Sequence, residues 1–150
     1  GKAVDEGNIG PIAQVAAGKN YFLIRGEDGK VWTFSALNPY HEAYPVELPG
    51  AASFVAAGDE SFAAIVDGKA YGWGDNSRGQ LISGGEDYYF NPTEMAPPLA
   101  GEWGSIAISS THALATTTTG VLYGWGLSEY IGGFGNPVDG PVHVKIANER

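Results

Sequence analysis

Short apolar runs, each closed by a turn containing glycine, set the rhythm of this chain. Tyr21 to Ile24, Phe62 to Val66 and Ala113 to Ala115 each lead through such a turn into a second run rich in Val, Tyr and Trp. That is the pattern of β-hairpins. Val66-Asp67-Gly68-Lys69 is the clearest case, because Asp-Gly accepts the positive φ angles that a two-residue type I′ turn requires. No stretch combines a sustained helical period with capping residues. The elements expected are therefore short strands.

The pattern repeats. Val15-Ala16-Ala17-Gly18, with Asp28-Gly29-Lys30-Val31-Trp32-Thr33-Phe34-Ser35 downstream, is echoed by Val55-Ala56-Ala57-Gly58 and Asp67-Gly68-Lys69-Ala70-Tyr71-Gly72-Trp73-Gly74. A third copy runs from Ile106-Ala107-Ile108-Ser109 to Thr119-Gly120-Val121-Leu122-Tyr123-Gly124-Trp125-Gly126. A proline-led strand follows each copy, starting at Pro45, Pro92 and Pro141, which are 47 and 49 residues apart. A period near 50 residues with about four short strands matches one propeller blade. The fold expected is all-β: three tandem blades, over approximately 11–48, 49–95 and 96–145, forming a partial or open propeller. Between the second hairpin strand and the proline, the three units differ in length: 11 residues from Phe34 to Pro45, 19 from Trp73 to Pro92 and 16 from Trp125 to Pro141. Variable segments of repeat proteins gather on one face, often the binding face.

Composition sharpens this picture. Glycine and proline, 23 and 9 of 150 residues, are well above their usual share. In Tyr71-Gly72-Trp73-Gly74 and Tyr123-Gly124-Trp125-Gly126 large rings alternate with residues lacking a side chain, which suits strands closely approached by another backbone. Trp73 and Trp125, repeated in register, read as packing residues. A net charge of −9 would repel a phosphate backbone or an anionic membrane, so nucleic acid is not an expected partner. The apolar runs are far too short to insert in a bilayer as helices. With no cysteine, disulfides, thiolate metal sites and a cysteine nucleophile are excluded. Met95 is the only methionine and the chain opens on Gly1, which suggests an excised piece of a longer protein.

These residues resemble the regulator of chromosome condensation repeat. Asp67-Gly68-Lys69-Ala70-Tyr71-Gly72-Trp73-Gly74-Asp75-Asn76-Ser77-Arg78-Gly79-Gln80-Leu81 is similar to that family's Asp-Gly-x-Val-Tyr-x-Trp-Gly and Asn-x-x-Gly-Gln-Leu elements. Ser109-Ser110-Thr111-His112 is similar to its Gly-x-x-His element. The resemblance covers about residues 11 to 145 and implies a seven-bladed propeller, of which three units stand here. Three blades leave open sheet edges, which invite association with further blades or with another copy. The family's members are mostly protein-binding platforms: one is an exchange factor for a small nuclear GTPase that binds chromatin, and a bacterial one covers the active-site mouth of β-lactamases.

Candidate chemistry is sparse. His112 sits at the family's histidine position, where the other units carry Tyr21 and Ser61, and it lacks a nominated partner for general-base work. It reads as structural. No metal-ligand spacing involves His41 or His143, and the adjacent carboxylates Asp59-Glu60 and Glu86-Asp87 read as solvated turns. Residues 75–80 read as a blade turn, with Asn76 and Gly79 in left-handed conformations. No catalytic residue, metal or cofactor is expected, and the chain is not expected to be an enzyme. The variable segments instead carry Tyr40, His41 and Tyr44 in the first unit, Tyr88, Tyr89 and Phe90 in the second, and Tyr130 and Phe134 in the third. Rings in loops offer large contact area at low entropic cost. They are the expected partner-binding residues of a non-catalytic module that recognises a protein through aromatic loops on one face. The alternative is a glycan-binding or structural component of a phage tail or cell-surface protein, which would place the chain on a virion or outside the cell.

Overall fold

The computed structural model describes residues 9–40, 42–82 and 85–127, and the backbone of 142–143. Its elements are twelve strands in three antiparallel sheets of four. The first sheet is β1 (Ile12–Ala17), β2 (Tyr21–Gly26), β3 (Val31–Ser35) and β4 (Ala43–Pro45). The second is β5 (Ala52–Ala57), β6 (Ser61–Val66), β7 (Lys69–Asp75) and β8 (Tyr88–Glu94). The third is β9 (Trp103–Ile108), β10 (His112–Thr117), β11 (Leu122–Gly126) and β12 (Val142–His143). Strands neighbour one another in chain order within every sheet. Each unit is thus a four-stranded meander, and the three sheets are blades of an unclosed propeller.

The turns expected from the sequence are present. Val66 pairs with Lys69, and between them Asp67 and Gly68 hold φ of 50° and 75°, a type I′ geometry whose twist suits the flanking strands. The bulk of the core lies between sheets. All six residues of β6 are buried, and alternation splits them between two interfaces. Phe62, Ala64 and Val66 join Leu23 and Val31 of the first sheet, while Ala63 and Ile65 join Ile106, Ala113 and Ala115 of the third. A strand covered on both faces needs no polar positions, which explains the unbroken apolar run.

The paired rings of β7 and β11 each face the preceding sheet. Trp73 packs with residues of the first sheet, and Tyr123 and Trp125 pack with residues of the second. Trp125 Nε1 donates to the Gln80 carbonyl at 2.9 Å, so it is a packing residue that also satisfies its own polar atom. The far face of the first sheet carries Phe22, Trp32 and Phe34 at the positions aligned with Phe62, Tyr71 and Trp73, and no further sheet covers it among the described residues. In β7 the expectation of close backbone approach needs correction. Gly74 does lie against the Glu60 backbone, but a Cβ on Gly72 would meet side chains, Met95 Sδ at 3.1 Å and Leu81 Cδ2 at 3.2 Å.

Residues 76–82 differ from expectation in one respect. Gly79 has φ +69°, but Asp67 is the only non-glycine with positive φ among the described residues, so Asn76 is not left-handed. Instead its buried side chain ties the loop together. Asn76 Nδ2 donates to the carbonyls of Ile82 and Glu86, both at 2.8 Å, and Oδ1 accepts from the N–H groups of Leu81 and Ile82, both at 2.9 Å. Gln80, fully buried, donates to Ser61 Oγ (3.1 Å) and Asp75 Oδ2 (3.0 Å). This staple brings the chain back to the start of β8.

Successive sheets come closest where β5 lies on β1 and β2, and β9 on β5 and β6. At each junction a turn glycine of one sheet meets the first strand of the next. The Gly29 carbonyl accepts from Ala52 N–H at 2.8 Å, and the Gly68 carbonyl accepts from Trp103 N–H at 2.9 Å. Gly29 has φ +82°, and a Cβ there would stand 2.5 Å from Ala51 Cβ. Gly120 has φ +89° but open space around it. The two glycines separate backbone strain from inter-sheet crowding. Strain alone costs about 1 kcal/mol or somewhat more, and overpacking a further ~1–3 kcal/mol. Urea unfolding of Gly29→Ala is therefore expected to show a loss of about 3 kcal/mol, against about 1 kcal/mol for Gly120→Ala; equal losses would mean that the sheets do not abut at Gly29.

Candidate functional site

Tight packing at the inner strands and divergence of the outer ones leave a groove between the first and second sheets, of about 510 Å³. Its floor is a run of three rings. Phe62 pairs with Trp73 across β6 and β7, the rings stacked at 6.1 Å and 27°, and Tyr21 from the start of β2 meets Phe62 edge-on at 6.1 Å. Phe62 and Trp73 are buried at 8% and 9% exposure, so they belong to core and groove together. The outer wall is β8. Tyr88 and Phe90 stand two residues apart, which puts them on one side of the strand, and their rings meet at 4.9 Å. Pro45 and Pro92 complete the apolar rim. Proline is tolerated there because β4 and β8 are outer strands with few N–H groups to pair.

Charge distinguishes this groove. Glu47 and Glu60 border it, and among the described residues no Lys, Arg or His does. Among the described residues the one ion pair is Lys69–Glu94, at 3.9 Å between exposed side chains. The carboxylates of Glu47 and Glu60 thus face solvent without a protein partner. Glu60 also borders a neighbouring depression that holds Lys19, Asp59, Asp75 and Arg78, where opposite charges offset one another.

The residues proposed from sequence are distributed unevenly. Tyr88 and Phe90, 51% and 87% exposed, line the groove. Tyr89 is half-buried beside the core cluster holding Trp73, and its hydroxyl accepts from Glu86 N–H at 2.9 Å, so it supports the loop. Tyr40 and Tyr44 are exposed, at 79% and 52%, but neither lines the groove. Tyr44 donates its hydroxyl to Glu42 at 2.8 Å, and this bond and the Glu42 charge raise its pKa above the usual phenol value. His41, Tyr130 and Phe134 lie outside the described residues. One expectation is corrected: Tyr44 and Tyr88 to Phe90 stand on strands β4 and β8, not in loops. The outer strands start inside the variable segments, where no apolar run marks them.

Sequence reasoning did not place Tyr21, Phe62, Trp73, Glu47 or Glu60 in the site: Tyr21 stood out only where the third unit has His112, Trp73 as a packing ring and Glu60 as a turn carboxylate. His112 has hydroxyl partners, with Nδ1 at 2.8 Å from Thr111 Oγ1 and 3.1 Å from Ser109 Oγ. Ser109 Oγ also accepts from Thr111 and His112 N–H groups. The hydroxyl is thereby held in a local turn, where it satisfies backbone donors. No group of three or more His, Asp or Glu side chains suited to a metal occurs among the described residues.

Comparison with known proteins agrees with this architecture. Residues 67–116 match the family model "Regulator of chromosome condensation (RCC1) repeat". Human Alsin is 28% identical over 81% of this chain and 8% of its own length. The Ras guanine nucleotide exchange factor C of Dictyostelium discoideum is 32% identical over 64% of this chain and 7% of its own. The chain thus spans less than a tenth of these relatives. Among solved structures, yeast RCC1 (Prp20) bound to Kap60 superposes with a TM-score of 0.70 at 18% identity, covering 93% of this chain and 38% of that one. Human WBSCR16 gives 0.67 at 21% identity, covering 77% and 33%. Residues 67–116 are thus a regulator of chromosome condensation (RCC1) repeat, and with its motifs recurring in the flanking sheets and the fold shared with yeast RCC1, the chain as a whole is similar to proteins built from that repeat.

Proposed function

We propose that this chain is a non-catalytic protein-recognition module whose contact surface is the aromatic groove between the first and second sheets. The observation that carries the reading is the pairing of exposed Tyr88 and Phe90 over a floor of Tyr21, Phe62 and Trp73. Apolar rings that stay exposed on a rigid strand gain most when another surface covers them. Their support is stiff: β8 pairs with β7, and the Asn76 staple fixes its approach. Little ordering entropy is then left for binding to overcome. Protein partners also suit the repeat, since yeast RCC1 (Prp20) is seen bound to Kap60 and has binding properties toward Gsp1p and histones. The net charge of −9 disfavours nucleic acid as the ligand. A glycan-binding role on a virion or cell surface is not part of this proposal.

The test separates the exposed pair from the supporting ring. Tyr88→Ser with Phe90→Ser, leaving Tyr89 in place, is expected to weaken binding of a captured and purified partner at least tenfold. Exposed substitutions cost within about 0.5 kcal/mol, so the thermal midpoint is expected to move by no more than about 2 °C. Unchanged affinity would contradict the proposal. A fall of many degrees would show the pair to be core.

A further inference from the structure

Resting on that reading, the groove's charge points to the chemistry of its ligand: we propose that it takes a lysine- or arginine-bearing segment of a protein partner, the cation seated between Glu47 and Glu60 against the aromatic floor. Three observations converge. Among the described residues the groove is bordered by two carboxylates and no cationic side chain. Neither carboxylate has an ion pair or hydrogen bond among the described residues, so each is available to an incoming donor. The groove is lined by the rings of Tyr21, Phe62 and Trp73, of which Tyr21 is the exposed one, and aromatic rings attract cations through their quadrupole.

The geometry also suits the shape of these side chains. Lysine and arginine carry apolar stems beneath a charged head. A stem laid along Tyr88, Phe90 and Pro92, which share one side of β8, would bury methylenes while the head lies between the two carboxylates. An anionic or purely apolar segment would leave Glu47 and Glu60 partly desolvated without compensation. An aspartate-rich partner is therefore disfavoured at this groove even where it could satisfy other surfaces. The overall charge of −9 steers cationic segments toward the chain generally, and the groove adds to that attraction two unpaired carboxylates beside rings.

General attraction and specific seating are distinguished by moving the charge change. Isothermal titration of the 150-residue chain with capped tetra-arginine and tetra-lysine peptides is expected to show saturable binding at physiological ionic strength, with none for tetra-glutamate. Glu47→Gln combined with Glu60→Gln is expected to weaken binding at least tenfold. Glu27→Gln combined with Glu102→Gln removes the same charge elsewhere and is expected to change it less than twofold. The four glutamates are exposed, so thermal unfolding should be unaltered in both double variants. Equal weakening by the two double variants, or absence of basic-peptide binding to the unaltered chain, would overturn the inference. Failure here is separable from failure of the recognition role. If partner binding is lost with Tyr88→Ser and Phe90→Ser but unaffected by Glu47→Gln and Glu60→Gln, the groove binds protein but not through a cation.

Discussion

Two short hydrogen bonds set the spacing on which the rest of this molecule depends: Gly29 carbonyl to Ala52 N–H, and Gly68 carbonyl to Trp103 N–H. Each joins the turn of one sheet to the first strand of the next, and each brings backbone against backbone where a side chain would intrude. Gln14 reinforces the first junction, its amide donating to the Val55 carbonyl and accepting from the Val55 N–H at 2.9 and 3.0 Å. With sheets held this close at their inner strands, the second sheet is sandwiched and β6 has no solvent face. Its apolar run is a consequence of that position. Burial on both faces makes the middle sheet the one that the other two stabilise, so damage at either junction is felt by the groove as well.

The same spacing produces the groove. Strands packed tightly at one end of each sheet diverge toward β4 and β8, and the gap is floored by Phe62 and Trp73, which the core already holds. Rings fixed by packing have little freedom left to lose, which favours binding over collapse. In the proposed reading the unpaired Glu47 and Glu60 would confer selectivity, because a ligand without positive charge must desolvate them for no return. Core and groove thus share residues at the floor and separate at the rim, where Tyr88, Phe90 and the two glutamates project.

Sequence legibility followed the range of the interactions. Hairpin turns such as Asp67-Gly68 and the strands around them are encoded within a few residues, so the three meanders could be read directly. Trp125 was readable as packing because it repeats in register. The outer strands were not readable: Ala43–Pro45 has a single apolar ring, and β8 begins in an insertion. Asn76 has turn chemistry that local propensity assigns to a left-handed backbone, yet its buried amide found four partners and made that conformation unnecessary. Tyr21 and Glu60 join the site only because two sheets meet, and no local pattern records which faces of distant strands will oppose each other.

The central claim is that recognition occurs where the first and second sheets diverge. Amide hydrogen–deuterium exchange of the chain with and without its purified partner addresses this directly, since it reports every backbone position together. The account predicts added protection at residues 46–47, 60–62 and 88–91, with little change along β9 and β10. Protection confined to the third sheet, with the groove unchanged, would contradict it.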